Sequence, residues 1–112
     1  MKRNHLGELE ELILFMVGVL HPEAYGVSVM DELERQAERK LNISAVHAVL
    51  IRLEEKGLLR SKMSEPTEGR GGRSRRIFLL TASGKRALEE IYVLRSQLYK
   101  KISPVLGQLR FV

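Results

Sequence analysis

The chain has 112 residues, 44% of them hydrophobic, a net charge of +5 and no cysteine. That length suits one small domain, or one domain plus a single extra element, and the missing cysteines exclude disulfides and thiolate metal sites. The longest apolar run, Leu12 to Leu20, falls short of the roughly 20 residues that span a bilayer, and no charged-then-apolar signal opens the chain. The expectation is a soluble, cytoplasmic protein without membrane contact.

From Leu6 onward, Leu6, Leu9, Leu12, Ile13, Met16, Val17 and Leu20 recur at helical spacing, with Glu8, Glu10 and Glu11 in the first turns where the helix dipole favours acids. Phe15 and Val19 fall outside that stripe, so the second half of the helix is apolar on more than one side. His21-Pro22 ends it. A second helix is predicted from Tyr25-Gly26 to about Arg39, with Val27, Met30, Leu33 and Ala37 inward. Gly26 costs it about 1 kcal/mol of propensity relative to Ala, which a close approach to another helix or to a phosphate offsets.

Asn42 then suits the N-cap of a third helix, Ile43 to Lys56, and Gly57 suits its left-handed exit. At 100° per residue Ile43, Val46, Val49, Leu50 and Leu53 gather on one face, and Ser44, Ala48, Ile51 and Glu55 lie opposite, flanked by His47 and Arg52. Leu58 to Glu65 and Arg75 to Leu80 read as strands around the glycine-rich loop PTEGRGGRS. Thr81 can cap a final helix in which Leu88, Ile91, Leu94, Leu98 and Ile102 recur every three or four residues, and Pro104 is expected to end or kink it near Ser103.

The charge is uneven. Residues 1–55 hold 6 Lys and Arg against 10 Asp and Glu, residues 56–76 hold 7 against 2, and residues 77–112 hold 6 against 2. Positive charge therefore peaks in the hairpin, where it attracts polyanions. Catalysis has little to build on: His5, His21 and His47 show no predicted convergence, and a metal site would need carboxylates from solvent-facing helices. The segment GRGGRSRR lacks the Gly-Lys-Ser/Thr ending of a phosphate loop and no helix follows it. No enzyme and no cofactor are expected.

The order helix, helix, helix, hairpin, helix is that of a winged helix-turn-helix domain: mainly α with a small β-hairpin, residues 1–80, followed by a C-terminal dimerisation helix and tail, residues 81–112. In such domains the third helix enters the major groove and the wing reaches the flanking backbone or minor groove. Double-stranded DNA is thus the expected partner. Ser44 and His47 are short and polar enough to meet base edges, Ala48 suits a thymine methyl, and Arg52 stands beside the groove. Arg70, Arg73 and Arg75 supply cations for phosphates, and Tyr25 and Asn42, opening the second and third helices, complete the candidate DNA contacts. The rival reading is a winged-helix module that docks a protein partner, against which the arginine-rich wing argues.

Four stretches, LGELEELILFMVGVL, EAYGVSVMDELE, AVLIRLEEKGLLRS and GGRSRRIFLLTASGKRAL, resemble the PadR family of bacterial transcriptional regulators in unbroken order over roughly residues 6–88. The resemblance implies a homodimeric winged-helix repressor that occludes a promoter, in the compact branch whose single terminal helix, helped by the first, makes the dimer. The interface candidates are Leu6, Leu9, Ile13, Leu88, Ile91, Leu94, Leu98 and Ile102. Independently, a terminal helix of some 20 residues is about 30 Å long and overhangs so small a body, and an overhanging apolar stripe needs a partner. Twofold pairing sets recognition helices about 34 Å apart, matching a palindromic operator. Relatives include repressors released by phenolic acids or by flat cationic drugs, so a small-molecule effector is possible here; Phe15, Tyr92, Tyr99 and Phe111 could line its pocket, although such spacing also suits core. Two departures stand out: His47-Ala48 where the family usually carries Tyr-Pro, and Ile51 where a polar residue is common.

Overall fold

The computed structural model describes residues 5–65 and 74–110. Within them the elements run α1 (Glu8–Leu20), α2 (Gly26–Ala37), α3 (Ile43–Glu55), β1 (Leu59–Met63), β2 (Arg76–Leu80) and α4 (Ala82–Leu106). The first three helices exist as a unit because each can bury one stripe. Ile13, Leu14 and Val17 of α1, Val29 and Leu33 of α2, and Val46, Leu50 and Leu53 of α3 are fully or almost fully covered, and Leu58 and Phe78 close the same core. Side chains of this kind contribute about 1.5–3 kcal/mol each when fully buried.

The inward face of α2 differs from the one its spacing suggests. Val29 is buried and Val27 is 47% exposed, because Gly26, Val29 and Leu33 form the row that meets α1 and α3. Glu32 lies on this row too, its carboxylate held by Arg35 from the next turn, and that hydrogen bond keeps its pKa low.

The strands pair antiparallel, Leu59 opposite Leu80 and Met63 opposite Arg76, so each is shorter than its predicted span. Beyond the ladder the root of the wing is still tied: the Ser64 N–H donates to the Arg75 carbonyl at 2.7 Å, and the Arg75 N–H donates to Ser64 Oγ at 2.9 Å. On the other edge the Phe78 N–H donates to the Ala24 carbonyl at 2.8 Å, so the link between α1 and α2 joins the sheet as an isolated bridge. The sequence shows no sign of that bridge, since a one-residue pairing leaves no alternation to read.

A short backbone crossing launches α4. Thr81 donates its hydroxyl to the Gly57 carbonyl at 2.6 Å and accepts the Gly84 N–H at 3.0 Å, while its own N–H reaches the Leu58 carbonyl at 3.2 Å. Gly84 is required by this approach: a Cβ there would stand 2.1 Å from the Leu58 oxygen. Gly84 and Ala87 are buried, and Leu88 packs on the core, so the first two turns of α4 belong to the winged domain. The helix then leaves the body. The radius of gyration is 17.1 Å, against about 13 Å for a compact chain of this length.

The helix does not stop at Ser103. It runs through Pro104 to Leu106. Proline removes one N–H and crowds the preceding turn, but every residue from Gln97 to Arg110 is exposed, leaving the backbone unhindered by packing in accommodating the ring.

Candidate nucleic-acid interface

The third helix is capped at both ends by the residues its sequence suggests. Asn42 Oδ1 accepts the Ala45 N–H at 2.8 Å, and Gly57 takes φ 78° just beyond the last turn. Asn42 therefore spends its side-chain oxygen on the helix. Ser44, Ala48, Ile51 and Glu55 face outward and are exposed. His47 is half-buried for a specific reason: its imidazole lies over Gly26, where a Cβ would meet Nε2 at 2.6 Å and Cε1 at 2.8 Å. The close approach suspected for Gly26 is thus made to α3.

Tyr25 and Arg75, remote in sequence, come together. The Arg75 guanidinium carbon sits 4.4 Å from the centroid of the Tyr25 ring, a cation–π pair that fastens the wing root to the start of α2. Tyr25 is free for this because Ser28, not Tyr25, completes the helix start: the Tyr25 N–H donates to Ser28 Oγ at 2.9 Å. Arg76 takes the opposite direction, as alternation along a strand requires. It reaches Glu54 of α3 at 3.1 Å and donates through Nε to Ser61 Oγ at 3.0 Å, while Ser61 donates to Glu54 at 2.7 Å. Two arginines at one strand end thereby clamp the wing to α2 and to α3. Arg70 and Arg73, the other wing candidates, lie outside the described residues.

At the far end of α3, Lys56 Nζ is 2.7 Å from Glu10 of α1. Burial by itself pushes the Glu10 carboxyl up, but the Lys56 hydrogen bond, the Gly7 N–H and the charges of Lys56 and Arg52 together hold it below its ordinary 4.5. Arg52, expected beside the groove, is exposed and near enough to Glu10 to contribute to that shift. Among the described residues no group of three or more histidines and carboxylates could hold a metal ion, and no helix is long and apolar enough to cross a membrane.

The family model of the transcriptional regulator PadR-like family matches residues 16–90, which include α2, α3, the whole hairpin and the start of α4. The chain belongs to the PadR-like family. It is accordingly a DNA-binding transcriptional regulator and not an enzyme. Solved structures agree. A PadR-like transcription factor from Bacteroides fragilis is 26% identical with a TM-score of 0.67, over 87% of this chain and 88% of that one. A PadR family transcription regulator from hypervirulent Clostridium difficile is also 26% identical, TM-score 0.66, over 91% and 97%. A Streptococcus transcriptional regulator, 23% identical over 87% and 90% with a TM-score of 0.68, shares the fold. No curated protein matches the chain.

The PadR-like domain divides the residues that the family resemblance and the spacing of the terminal helix assigned to a pairing face. Ile13 is fully buried in the domain's own core, so it has no surface left for a partner chain; the helical stripe of α1 is wide enough that spacing alone does not separate its inner edge from its outer one. Leu6, Leu9, Leu88 and Ile91 are half-buried, the first three packed against the core. Leu94, Leu98 and Ile102 are 37%, 52% and 48% exposed, and Tyr92, Val93, Tyr99 and Val105 lie open on the same helix. Arg95 Nη2 donates to both carboxylate oxygens of Glu11 at 2.9 Å, tying α4 to α1. Between α1 and α4 a concavity of about 1010 Å³ is lined by Leu12, Phe15, Tyr92 and Tyr99, with Glu8 and Glu11 at its side. Phe111 lies outside the described residues.

Sequence reasoning missed Ser64, Ser61 and Glu54 as the groups that hold Arg75 and Arg76 in place. It also took Glu10 as a helix-dipole residue only. Glu10 at the third position of α1 was the available signal, since a glutamate there reaches back to the N-cap N–H, here Gly7 at 3.0 Å.

Proposed function

We propose that the protein is a homodimeric repressor that occupies a palindromic operator in the cytoplasm and occludes a promoter. The observation that carries the reading is the apolar stripe of α4, where Leu94, Leu98 and Ile102 are left exposed by the described residues on a helix that extends beyond the compact body. Water contact along such a stripe is unfavourable, and a second copy offers the same stripe to cover it. Each protomer then presents α3 to a major groove, with Ser44 and Ala48 nearest the bases and His47, packed over Gly26, at the edge of that face. Tyr25 and Arg75 donate to phosphates from the junction of α2 and the wing, and Arg70 and Arg73 extend that contact. The concavity between α1 and α4 borders the pairing helix, which supports a small-molecule effector that binds there and shifts the dimer away from DNA.

The test begins with duplexes selected from random sequence and sedimentation of the protein alone and with the selected site. A dimer on a site with twofold symmetry is expected, and transcription from a promoter carrying that site should fall on adding protein. Leu98→Asp should yield a monomer that binds the full site far more weakly. A monomeric wild type, or a site without symmetry, refutes the reading.

A further inference from the structure

We propose that Ala48 and Ile51 form a methyl-reading surface, so that this regulator selects operators presenting thymine 5-methyl groups to the middle of α3. The inference rests on the reading that α3 enters the major groove. Its grounds are what the outward face of α3 contains and what it lacks. Ile51 is 42% exposed although Val46, Val49, Leu50 and Leu53 already supply the core contacts of the helix. It shares its face with exposed Ala48, one turn before it, and exposed Ser44, one turn before that.

His47, the polar side chain that spacing places beside this face, is turned against α2, its ring atoms within 3 Å of where a Gly26 Cβ would stand. No arginine, lysine, asparagine or glutamine lies along the row Ser44, Ala48, Ile51, Glu55. Arg52, one turn after Ala48, is displaced about 100° around the helix from Ile51 and stands near Glu10 of α1, the carboxylate that Lys56 also holds. Bidentate reading of guanine or adenine in the major groove needs those donors, whereas an apolar side chain has one complementary group there, the thymine methyl. Ser44 remains to hydrogen-bond a neighbouring base. The cation at the wing root, Arg75 over Tyr25, stands beside α2 to hold the backbone while this row reads.

The experiment uses the full chain and its selected duplex, with thymines replaced one at a time by deoxyuridine, which removes the methyl and nothing else. Competition gel shifts should show one or two positions in each half-site where the loss of one methyl weakens wild-type binding about fourfold, the worth of one buried methyl-sized group. Ile51→Ala should bind the thymine duplex more weakly and no longer distinguish thymine from deoxyuridine at one of those positions, while Ile51→Val retains the distinction. Ile51 is exposed, so these variants keep the fold. Indifference of the wild type at every position, or an undiminished methyl preference in Ile51→Ala, overturns the proposal while leaving DNA binding intact. Failure to select any duplex removes the DNA reading and this proposal together.

Discussion

Gly84 and Gly18 both lie inside helices, and exchanging either for alanine brings the same propensity gain of about 1 kcal/mol. Their surroundings should drive the outcomes in opposite directions. A Cβ on Gly84 would stand 2.1 Å from the Leu58 carbonyl oxygen and 3.1 Å from its carbon. Close carbon–oxygen approaches in proteins are about 3.3–3.6 Å, so α4 or the Leu58 peptide must shift by more than about 1 Å. That peptide has little freedom. Leu58 is fully buried, its N–H is held by the Leu53 carbonyl at 3.0 Å, and its own carbonyl accepts from Thr81. Overpacking of this kind costs about 1–3 kcal/mol, and displacing Thr81 from Leu58 and Gly57 removes two hydrogen bonds of about 1 kcal/mol each. After the propensity gain, Gly84→Ala should lose about 2–4 kcal/mol. Around Gly18 the nearest atoms are the Leu80 and Leu88 methyls at 3.4 and 4.0 Å, ordinary contact with the ends of flexible side chains. Gly18→Ala should therefore be neutral or gain up to about 1 kcal/mol. Urea unfolding followed by circular dichroism, at one protein concentration so that any oligomerisation is held constant, measures both. A Gly84→Ala protein as stable as Gly18→Ala would refute the crossing of α4 over Leu58.

Three further outcomes follow from the interface. Asn42→Ala removes the cap from the Ala45 N–H and should cost about 1 kcal/mol in the same unfolding assay, with a smaller effect on DNA affinity than Arg75→Ala. Arg75→Ala should weaken binding to all duplexes and reduce the salt dependence of affinity by about one phosphate contact, measured by gel shift across a salt series; an unchanged slope places Arg75 off the backbone. Glu10 has a depressed folded pKa, so its stabilising contribution is present above the unfolded value and is lost as pH falls through the folded one. Glu10→Gln should accordingly be less stable than wild type near neutral pH and converge on it as pH falls through the depressed folded pKa of Glu10, with urea midpoints across pH as the readout; parallel curves would show that the Lys56 pair contributes nothing.

The sequence by itself determined the elements, their order and the cationic end of the molecule. Helix spacing, the caps at Asn42 and Thr81, and the turn at Gly57 are local signals, each written in a few neighbouring residues whose backbone preferences act before any tertiary contact forms. The family resemblance rested on the same local stretches. Tertiary structure decided which side of each stripe meets which neighbour. Ile13 and Leu98 are both apolar at helical spacing, yet one is buried in the domain and the other half-exposed on α4, because the body ends where α4 overhangs it. Val27 and Val29 differ in the same way through the rotation of α2 against α1 and α3. The meetings of Gly26 with His47, Tyr25 with Arg75 and Gly84 with Leu58 join residues 21, 50 and 26 positions apart. No local periodicity encodes such pairs; they exist because the packed core leaves each backbone only one place to pass.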